Sequence, residues 1–379
     1  MKKMKDWNVI MITLDGLRVD QLIRCPYLFS LFKENVGFSN MITASPYTFT
    51  SMHAIFSGIY PSKNGVNSYY NMFRFKKEKC KTLTQYFKEN NYHTVANVLS
   101  DSVIPVQGFD RIEIHKLDDP QLPLHKRMIS ESMEKGKFFM YLQYTNIHDL
   151  TVKNSKKYGE NDENYFGNEA KKRNSKIFGA LAEETDGYVK EIMGYLEKLK
   201  ILKNTMVIFH ADHGTSLGEK PGEKLYGSFV YDYTIKTFCI MIMPDHKKGN
   251  TDSQCIALDI MPTILDIFEW ESDTNFNRLQ GKTLFPLLRG EEKKERIAFT
   301  ETGGLFGPWP SRREHNVFGV RSQNKKIIYN KTPNTWEFYD LEKDPTEKNN
   351  LIGTNNPEIS EYKKILLSKM KENGIKIKK

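Results

Sequence analysis

The sequence predicts an α/β fold, in which a large, mostly parallel sheet is flanked by helices on both faces and a small α+β subdomain follows. Strand and helix signals alternate over roughly the first 290 residues, as they do in a mainly parallel sheet. From about residue 295 onwards, short strand signals separated by turns follow one another, which is typical of an antiparallel sheet. We therefore expect a large domain over residues 1–294 and a subdomain over residues 295–379.

The first half of the chain carries the clearest local signals. The run NVIMITL at 8–14 is apolar and rich in β-branched residues, so it predicts a buried strand, which Asp15-Gly16 ends. Thr82 is a helix-capping residue type and precedes a stretch with helical spacing. The further elements predicted here are helices at 27–35, 49–57 (ended by Gly58) and 82–91, and a strand at 93–98.

The second half continues the alternation. The apolar run KFFMYLQY at 137–144 predicts a strand, and the polar stretch 151–176, rich in lysine and asparagine, predicts a surface excursion. Apolar residues at helical spacing then predict a helix over 177–200. Further predictions are strands at 205–210 and 238–243, four short strands around IAFTE, VFGVRS, KKIIYN and WEFYDL, and a helix near 357–372.

The composition excludes several classes of protein. The 56 basic and 47 acidic side chains give a net charge of +9, but the lysines are scattered and form no zinc finger, RNA-stacking signature or long basic helix. We therefore expect no nucleic-acid partner and a basic surface that attracts anionic substrates. No window reaches the ~20 apolar residues of a membrane span, and the N-terminal apolar stretch is too short for a signal peptide. Together with sparse cysteine and no C-x-x-C pair, this predicts a cytoplasmic protein; no oligomeric state is favoured.

Two polar clusters follow apolar strands, at the points where those strands end. Asp15 follows the strand at 8–14, and Asp212-His213 follows the strand at 205–210. Ligands of open α/β sheets bind at the carboxyl ends of strands, and carboxylate and imidazole groups suit a divalent ion. The alternative is structural, because Asp-Gly is a common turn pair and Asp212-His213 is compatible with a polar corner.

Hydroxyl and imidazole side chains offer candidates for the reaction itself. Thr48, Thr50 and Ser51 open a short helix, where a hydroxyl is either a cap or a nucleophile beside an anion-binding helix terminus. Composition does not choose among the three. His148 follows a predicted strand, so it is either a catalytic acid or a histidine of a surface loop.

Five blocks along the chain resemble the sulfatase branch of the alkaline phosphatase superfamily, in the order in which that family carries them. They are NVIMITLDGLRVDQL, TFTSMHAIFSGIYPSKNGV, IFHADHGTSLGEK, ALDIMPTILDIFEW with LQGKTLFPLLRG, and WEFYDLEKDPTEKNNL. The resemblance implies a large α/β domain with a small C-terminal α+β subdomain.

The resemblance also implies roles for individual residues. Asp15, Asp212 and His213 match metal ligands, and one divalent ion (Zn, Mn, Mg or Ca) is expected rather than two. Counting back from the segment SGIYP places the nucleophile, itself a further metal ligand, at Thr48. His148 matches a histidine near the leaving group, and Lys224 loosely matches a substrate-contacting lysine.

The chain departs from the family pattern in three ways. Asp15-Gly16 stands where many sulfatases have Asp-Asp, Met52 falls on the motif arginine, and Thr48 replaces Cys or Ser. Formylglycine, the nucleophile of typical sulfatases, cannot be made from threonine, because the methyl-bearing β-carbon would oxidise to a ketone. These departures predict a metal-dependent hydrolase that cleaves a phosphate-type ester (phosphodiester, phosphomonoester or phosphonate ester) through a covalent Thr48 intermediate. The alternatives are a sulfuric ester hydrolase acting without formylglycine, a phospho-alcohol transferase, and a non-catalytic binding protein.

The substrate is expected to be a small anionic ester, with a glycan or a lipid as its source. Four segments are expected to shape its pocket: 65–75, 149–176, 219–233 and 303–316. The last of them contains Arg312 and His315, which we predict to contact the substrate, because arginine and aromatic-rich loops bind anionic groups. A packed subdomain loop is the structural alternative.

Overall fold

The computed structural model describes residues 5–148, 165–303 and 317–376, and the described residues contain two sheets. The larger sheet has nine strands in the order β4–β3–β5–β1–β6–β7–β2–β8, with β9 also paired to β2. These strands are β1 Asn8–Leu14, β2 Val36–Ile42, β3 His93–Val98, β4 Arg111–Ile114, β5 Phe138–Tyr144, β6 Thr205–His210, β7 Lys236–Ile242, β8 Gly249–Thr251 and β9 Cys255–Ile256. Every pairing is parallel except the two that β7 makes with β6 and β2.

The central strand β1 is buried along its whole length, and its side chains alternate between two helical layers. Val9 and Met11 pack in the core beneath α2, α4 and α8, whereas Ile10 and Ile12 pack in the core beneath α1, α5 and α6. The helices are α1 Pro26–Glu34, α2 Thr48–Ser57, α3 Pro61–Asn64, α4 Leu83–Glu89, α5 Gln121–Met133, α6 Asn168–Lys198, α7 Asp232–Ile235, α8 Ile260–Ile267, α9 Phe285–Leu288 and α10 Glu358–Glu372. A strand that is apolar on both faces therefore lies between two helical layers, as the sequence predicts.

The smaller sheet is antiparallel and lies near the C-terminus. Its strands follow one another in order as β10 Ala298–Thr302, β11 Val317–Arg321, β12 Lys325–Asn330 and β13 Thr335–Asp340. Leu366 and Met370 of α10 are buried in the core that this sheet shares with Tyr60 and Val230 of the larger domain. The predicted fold class is confirmed, and the exact domain boundary at 294/295 stays a prediction.

Several predicted elements are found at their predicted positions. The strands at 8–14, 93–98 and 205–210 match residue for residue. Thr82 caps α4 through a reciprocal capping box with Gln85, and Gly58 ends α2 with a φ of 63°. The four C-terminal strands and the last helix are also present.

The local pattern misses β2, β4 and α5, and two boundaries shift. Gly37, Ser39 and Asn40 interrupt the apolar run of β2, and Pro123 lies in the first turn of α5. The helix predicted at 177–200 begins earlier, at Asn168. Its first turns are mostly polar and exposed, so they lack the apolar periodicity from which the helix was predicted. The strand predicted at 238–243 is Lys236–Ile242, and most of the predicted surface excursion at 151–176 lies outside the described residues.

All four cysteines are buried free thiols: Cys25, Cys80, Cys239 and Cys255. Within the described ranges, no helix combines the length and the apolar character needed to cross a membrane.

Candidate active site

The carboxyl ends of β1, β2 and β6 meet at one edge of the large sheet and bring the predicted site residues together. Asp15 directly follows β1, Asp212 and His213 follow β6, and Thr48 begins α2 shortly after β2. Ligand atoms of Asp15, Asp212 and His213 all lie within 4.8 Å of one another, and all three side chains are buried. Residues far apart in sequence thus form one polar cluster under the edge of the sheet.

Hydrogen bonds from β5, from α2 and from the turn after β1 hold the two aspartates in place. Gln143 of β5 donates from Nε2 to Asp15 Oδ2 at 2.7 Å. The backbone N–H of Gly16 donates to Asp212 Oδ1 at 3.3 Å, and Ser51 Oγ donates to the Asp212 carbonyl at 2.8 Å. Each carboxylate therefore has one oxygen that is held by the protein and one that points into the cluster.

The remaining atoms of the cluster fit a cation. Asp15 Oδ1 and Asp212 Oδ2 are buried without a hydrogen-bond partner. His213 Nδ1 lies 2.7 Å from the carbonyl oxygen of Gly214, which can only accept, so Nδ1 carries the proton and Nε2 presents its lone pair. That lone pair faces the two free carboxylate oxygens at 3.6 and 3.5 Å. Three electron-rich atoms that face one another in a buried place require positive charge between them.

The pKa of Asp15 reflects the same crowding. Burial and the nearby charge of Asp212 raise it from 3.8 to about 6, although the imidazoles of His148 and His213 and the Gln143 hydrogen bond oppose the shift. Two buried carboxylates close together are costly when both are ionised and no cation is bound. A divalent ion held between them would offset that cost.

Thr48 lies against this cluster. Its Oγ1 is 3.1 Å from His213 Nε2 and 3.4 Å from Asp15 Oδ2, and the residue is 7% exposed. Tyr47, at the N-cap position of α2, makes no side-chain cap to the first turn of the helix. The hydroxyl therefore lies at a helix N-terminus, beside the proposed metal ligands, where an anionic group is favoured.

The departures from the family pattern have local structural causes. Gly16 has a φ of +75°, and a β-carbon there would lie 2.9 Å from Thr215 Oγ1, so the second aspartate that many sulfatases carry does not fit here without movement of Thr215. Met52, at the place of the motif arginine, is fully buried and receives a weak hydrogen bond from Thr13 Oγ1 at 3.7 Å. This position supplies packing and no positive charge.

An aromatic ring joins His213 to His148. The ring of Tyr226 lies 4.5 Å from the His213 ring and 5.9 Å from that of His148, centroid to centroid. His148 is half-buried, and its imidazole is among the groups that oppose the rise in the pKa of Asp15. The predicted acid thus lies beside Tyr226, which also contacts His213.

Lys224 lies on the segment that carries Tyr226. Glu223 anchors this segment: its Oε1 accepts from the backbone N–H groups of Ser228 and Phe229 at 2.9 and 2.8 Å, and burial raises its pKa to about 7. Lys224 itself is half-buried, and its substrate role stays a prediction. The predicted substrate residues Arg312 and His315 lie outside the described residues.

Sequence reasoning missed Gln143, Ser51 as a positioning group, and Tyr226. The signal for Gln143 is visible in KFFMYLQY, because one polar residue stands near the end of an otherwise apolar strand. No local signal identifies Ser51 or Tyr226, since both act through residues more than 10 positions away in the chain.

Models of known protein families match most of the chain. The sulfatase family model matches residues 8–269, and the model described as N-sulphoglucosamine sulphohydrolase, C-terminal, matches residues 224–376. An N-acetylglucosamine-6-O-sulfatase of Bacteroides thetaiotaomicron is 31% identical over 175 residues, which are 44% of this chain and 30% of that protein. The chain thus spans about a third of the length of this curated relative.

Solved structures share the fold over nearly the whole chain. A protein in complex with its substrate D-glucosamine-2-N,6-O-disulfate aligns with a TM-score of 0.74 at 17% identity, covering 98% of both chains. The phosphonate monoester hydrolase of Agrobacterium radiobacter aligns with a TM-score of 0.76 at 15% identity, covering 97% of this chain and 96% of its own. Since the family model covers well over half of its length, the chain belongs to the sulfatase family of the alkaline phosphatase superfamily.

Proposed function

We propose that this protein hydrolyses a sulfuric ester on a sugar, with the unmodified hydroxyl of Thr48 as the nucleophile. The observation that carries the proposal is the position of Thr48 Oγ1, 3.1 Å from His213 Nε2 and 3.4 Å from Asp15 Oδ2, at a helix N-terminus. The relatives support a sulfate ester, which the sequence analysis kept as an alternative, better than the phosphate-type ester that it put first.

Asp15, Asp212 and His213 would hold one divalent cation. When bound, such an ion stabilises negative charge that develops on the attacking and non-bridging oxygens. The chain's own residues then have separate tasks: Gln143 and Ser51 fix the ligands, and the first turn of α2 presents backbone N–H groups to the sulfate oxygens.

In the first chemical step, Thr48 Oγ1 attacks sulfur and the bond from sulfur to the sugar oxygen breaks. The hydroxyl proton passes to Asp15 Oδ2, which lies 3.4 Å from Thr48 Oγ1. His148, as imidazolium, donates a proton to the departing sugar oxygen. The products of this step are the free sugar alcohol and a sulfate monoester on Thr48.

In the second step, water attacks the same sulfur and the bond from sulfur to Thr48 Oγ1 breaks. Neutral His148 takes a proton from the water, and Asp15 returns its proton to the Thr48 oxygen. Hydrogen sulfate leaves, and every group returns to its starting protonation state. Because no aldehyde hydrate is involved, this route needs no formylglycine.

A phosphate-type ester is the second candidate substrate. It is favoured by the Thr48 hydroxyl itself, because direct attack through a threonine oxygen is the chemistry expected when formylglycine cannot form. The same two steps apply, with phosphorus in place of sulfur. A phospho-alcohol transferase would replace water in the second step with an acceptor alcohol.

A substrate panel separates these activities. Purified protein supplied with Zn²⁺, Mn²⁺, Mg²⁺ or Ca²⁺ is expected to release sulfate from glucosamine 6-sulfate at a higher kcat/KM than it releases phosphate from the matching phosphate esters. Faster cleavage of phosphate or phosphonate esters would contradict the proposal and favour the second candidate. Product formation only with an added alcohol would indicate a transferase, and no turnover of any ester with any metal would indicate a binding protein.

His148→Asn is expected to lower kcat/KM, which reports only the steps up to departure of the leaving group, by about 100-fold for a sugar sulfate and by less than about threefold for 4-nitrophenyl sulfate. A sugar alkoxide needs a proton as it leaves, whereas nitrophenolate does not. His246→Asn is the matched control, because His246 is exposed after β7, at the far end of the sheet from Thr48. Equal losses on both substrates would rule out an acid role for His148.

A further inference from the structure

A short segment beside the nucleophile exposes large aromatic side chains to solvent. Phe73 is 82% exposed and Tyr70 is 49% exposed. Exposed apolar surface of this size forgoes the stabilisation that burial would bring, so an exposed aromatic pair on one turn indicates a binding surface. We call the segment from Tyr69 to Phe75 the aromatic ledge.

The ledge packs directly on the residues that flank Thr48. The ring of Tyr69 stacks on Tyr47 with a centroid distance of 4.8 Å and an interplanar angle of 13°, and meets Phe49 edge-on at 5.6 Å. The ring of Phe75, at the other end of the ledge, lies 5.3 Å from His53 of α2. Both ends of the ledge therefore contact α2 or its N-cap residue, next to Thr48.

Backbone hydrogen bonds and a glycine fix the conformation of the aromatic ledge. Arg74 N donates to Asn71 O at 2.9 Å, and Lys76 N donates to Asn64 O at 2.8 Å. Gly65 has a φ of +99°, and a β-carbon there would lie 2.2 Å from the carbonyl oxygen of Arg74, so only glycine permits this approach. The turn therefore presents Tyr70 and Phe73 in a defined position.

The ledge and the residues that follow it are also strongly basic. Arg74, Lys76, Lys77 and Lys79 are exposed, and Glu78 is the single acidic side chain among them. Such a surface attracts a polyanion and disfavours a basic or purely apolar partner. Flat rings next to mobile cations match a sugar ring that carries anionic substituents.

We propose that the aromatic ledge binds the sugar rings of a sulfated glycan that lie next to the ring carrying the scissile ester. This inference rests on the proposed function, and it identifies the substrate as an oligosaccharide or polysaccharide rather than a free monosaccharide. The apolar C–H face of a pyranose stacks on Tyr70 and Phe73, while Arg74 and Lys77 pair with its sulfate or carboxylate groups.

The double variant Tyr70→Ala/Phe73→Ala tests the ledge through chain length. On sulfated tetrasaccharides of the glucosamine–uronate and galactan types, we expect kcat/KM to fall by about 10-fold or more, mainly through KM. On glucosamine 6-sulfate, kcat/KM should stay within about twofold of wild type, because the ledge does not reach the ring that reacts. Ile23→Ala/Ile114→Ala, which truncates two exposed apolar side chains elsewhere, is the matched control.

Calorimetric titration of the same tetrasaccharides separates failure of the ledge from failure of the proposed function. Weaker binding by the double variant, with no hydrolysis by wild type, would sustain the ledge and overturn the activity. Unchanged hydrolysis and binding in the double variant, or no tetrasaccharide binding by wild type, would overturn the ledge. Binding of wild type, and not of the variant, to phosphatidylserine vesicles without any glycan effect would overturn it in favour of a membrane surface.

Discussion

Thr48→Val is expected to lower kcat by at least about a thousandfold, whereas Thr48→Ser should retain activity within about 10-fold. Valine keeps the shape and β-branching of threonine, so it preserves the start of α2 and removes only the hydroxyl. Serine keeps the oxygen, which lies 3.1 Å from His213 Nε2 and 3.4 Å from Asp15 Oδ2 in the native residue. The loss of activity in the valine variant therefore measures the contribution of the hydroxyl separately from that of side-chain packing.

The covalent intermediate gives a second measurement of the same prediction. Wild-type protein quenched in acid during turnover should carry one sulfo group on the peptide that contains Thr48, detected by mass spectrometry. The valine variant should carry none. Near-wild-type turnover by Thr48→Val would show that water attacks the ester directly and that Thr48 only lines the site.

Asp15→Asn is expected to abolish tight metal binding and to lower kcat by at least about a thousandfold. The asparagine oxygen can still accept the hydrogen bond from Gln143 Nε2, so the side chain should stay in place. What is lost is the negative charge, and with it one of the three groups that face one another in the cluster. Elemental analysis after dialysis, together with the kcat on a sulfate ester, measures both effects.

Without metal, the Asp15→Asn protein should be more stable than wild type. Burial and the charge of Asp212 raise the pKa of Asp15 from 3.8 to about 6, so without metal this carboxyl destabilises the fold above pH 6 by ~3 kcal/mol. The penalty declines as pH falls through 6 and is absent below 3.8, where Asp15 is protonated in both the folded and unfolded states. Thermal unfolding in chelator should therefore show Asp15→Asn more stable than wild type at pH 7.5, with little difference near pH 4.

Other buried carboxyls with raised pKa values, such as Glu223 and Glu301, are present in both proteins, so their contribution cancels in this comparison. Added metal should reverse the order at pH 7.5, because only wild type binds it tightly. If, in the presence of chelator at pH 7.5, the Asp15→Asn protein is less stable than wild type, then the ionised Asp15 carboxylate does not destabilise the metal-free fold.

The sequence by itself determined the elements whose signals are local. The strands at 8–14, 93–98 and 205–210 are apolar, β-branched runs bounded by polar or turn residues, and Thr82 with Gln85 forms a capping box within one helical turn. Asp15 and Asp212 were candidate ligands because each comes at the end of such a strand, but only the resemblance to the family favoured a metal site over a turn or a polar corner. Thr48 required the resemblance to the family, since its own neighbourhood offered three hydroxyls.

Only the tertiary structure decided which side chains support these residues and what surrounds them. Gln143 reaches Asp15 across 128 positions of the chain, and Ser51 reaches Asp212 across 161. Such contacts depend on the register of β5 beside β1 and on the placement of α2 over the sheet, which periodicity within a short window does not encode. The burial of Met52 and the exposure of Phe73 were equally undetermined, because both are apolar residues and only packing distinguishes a core side chain from a binding surface.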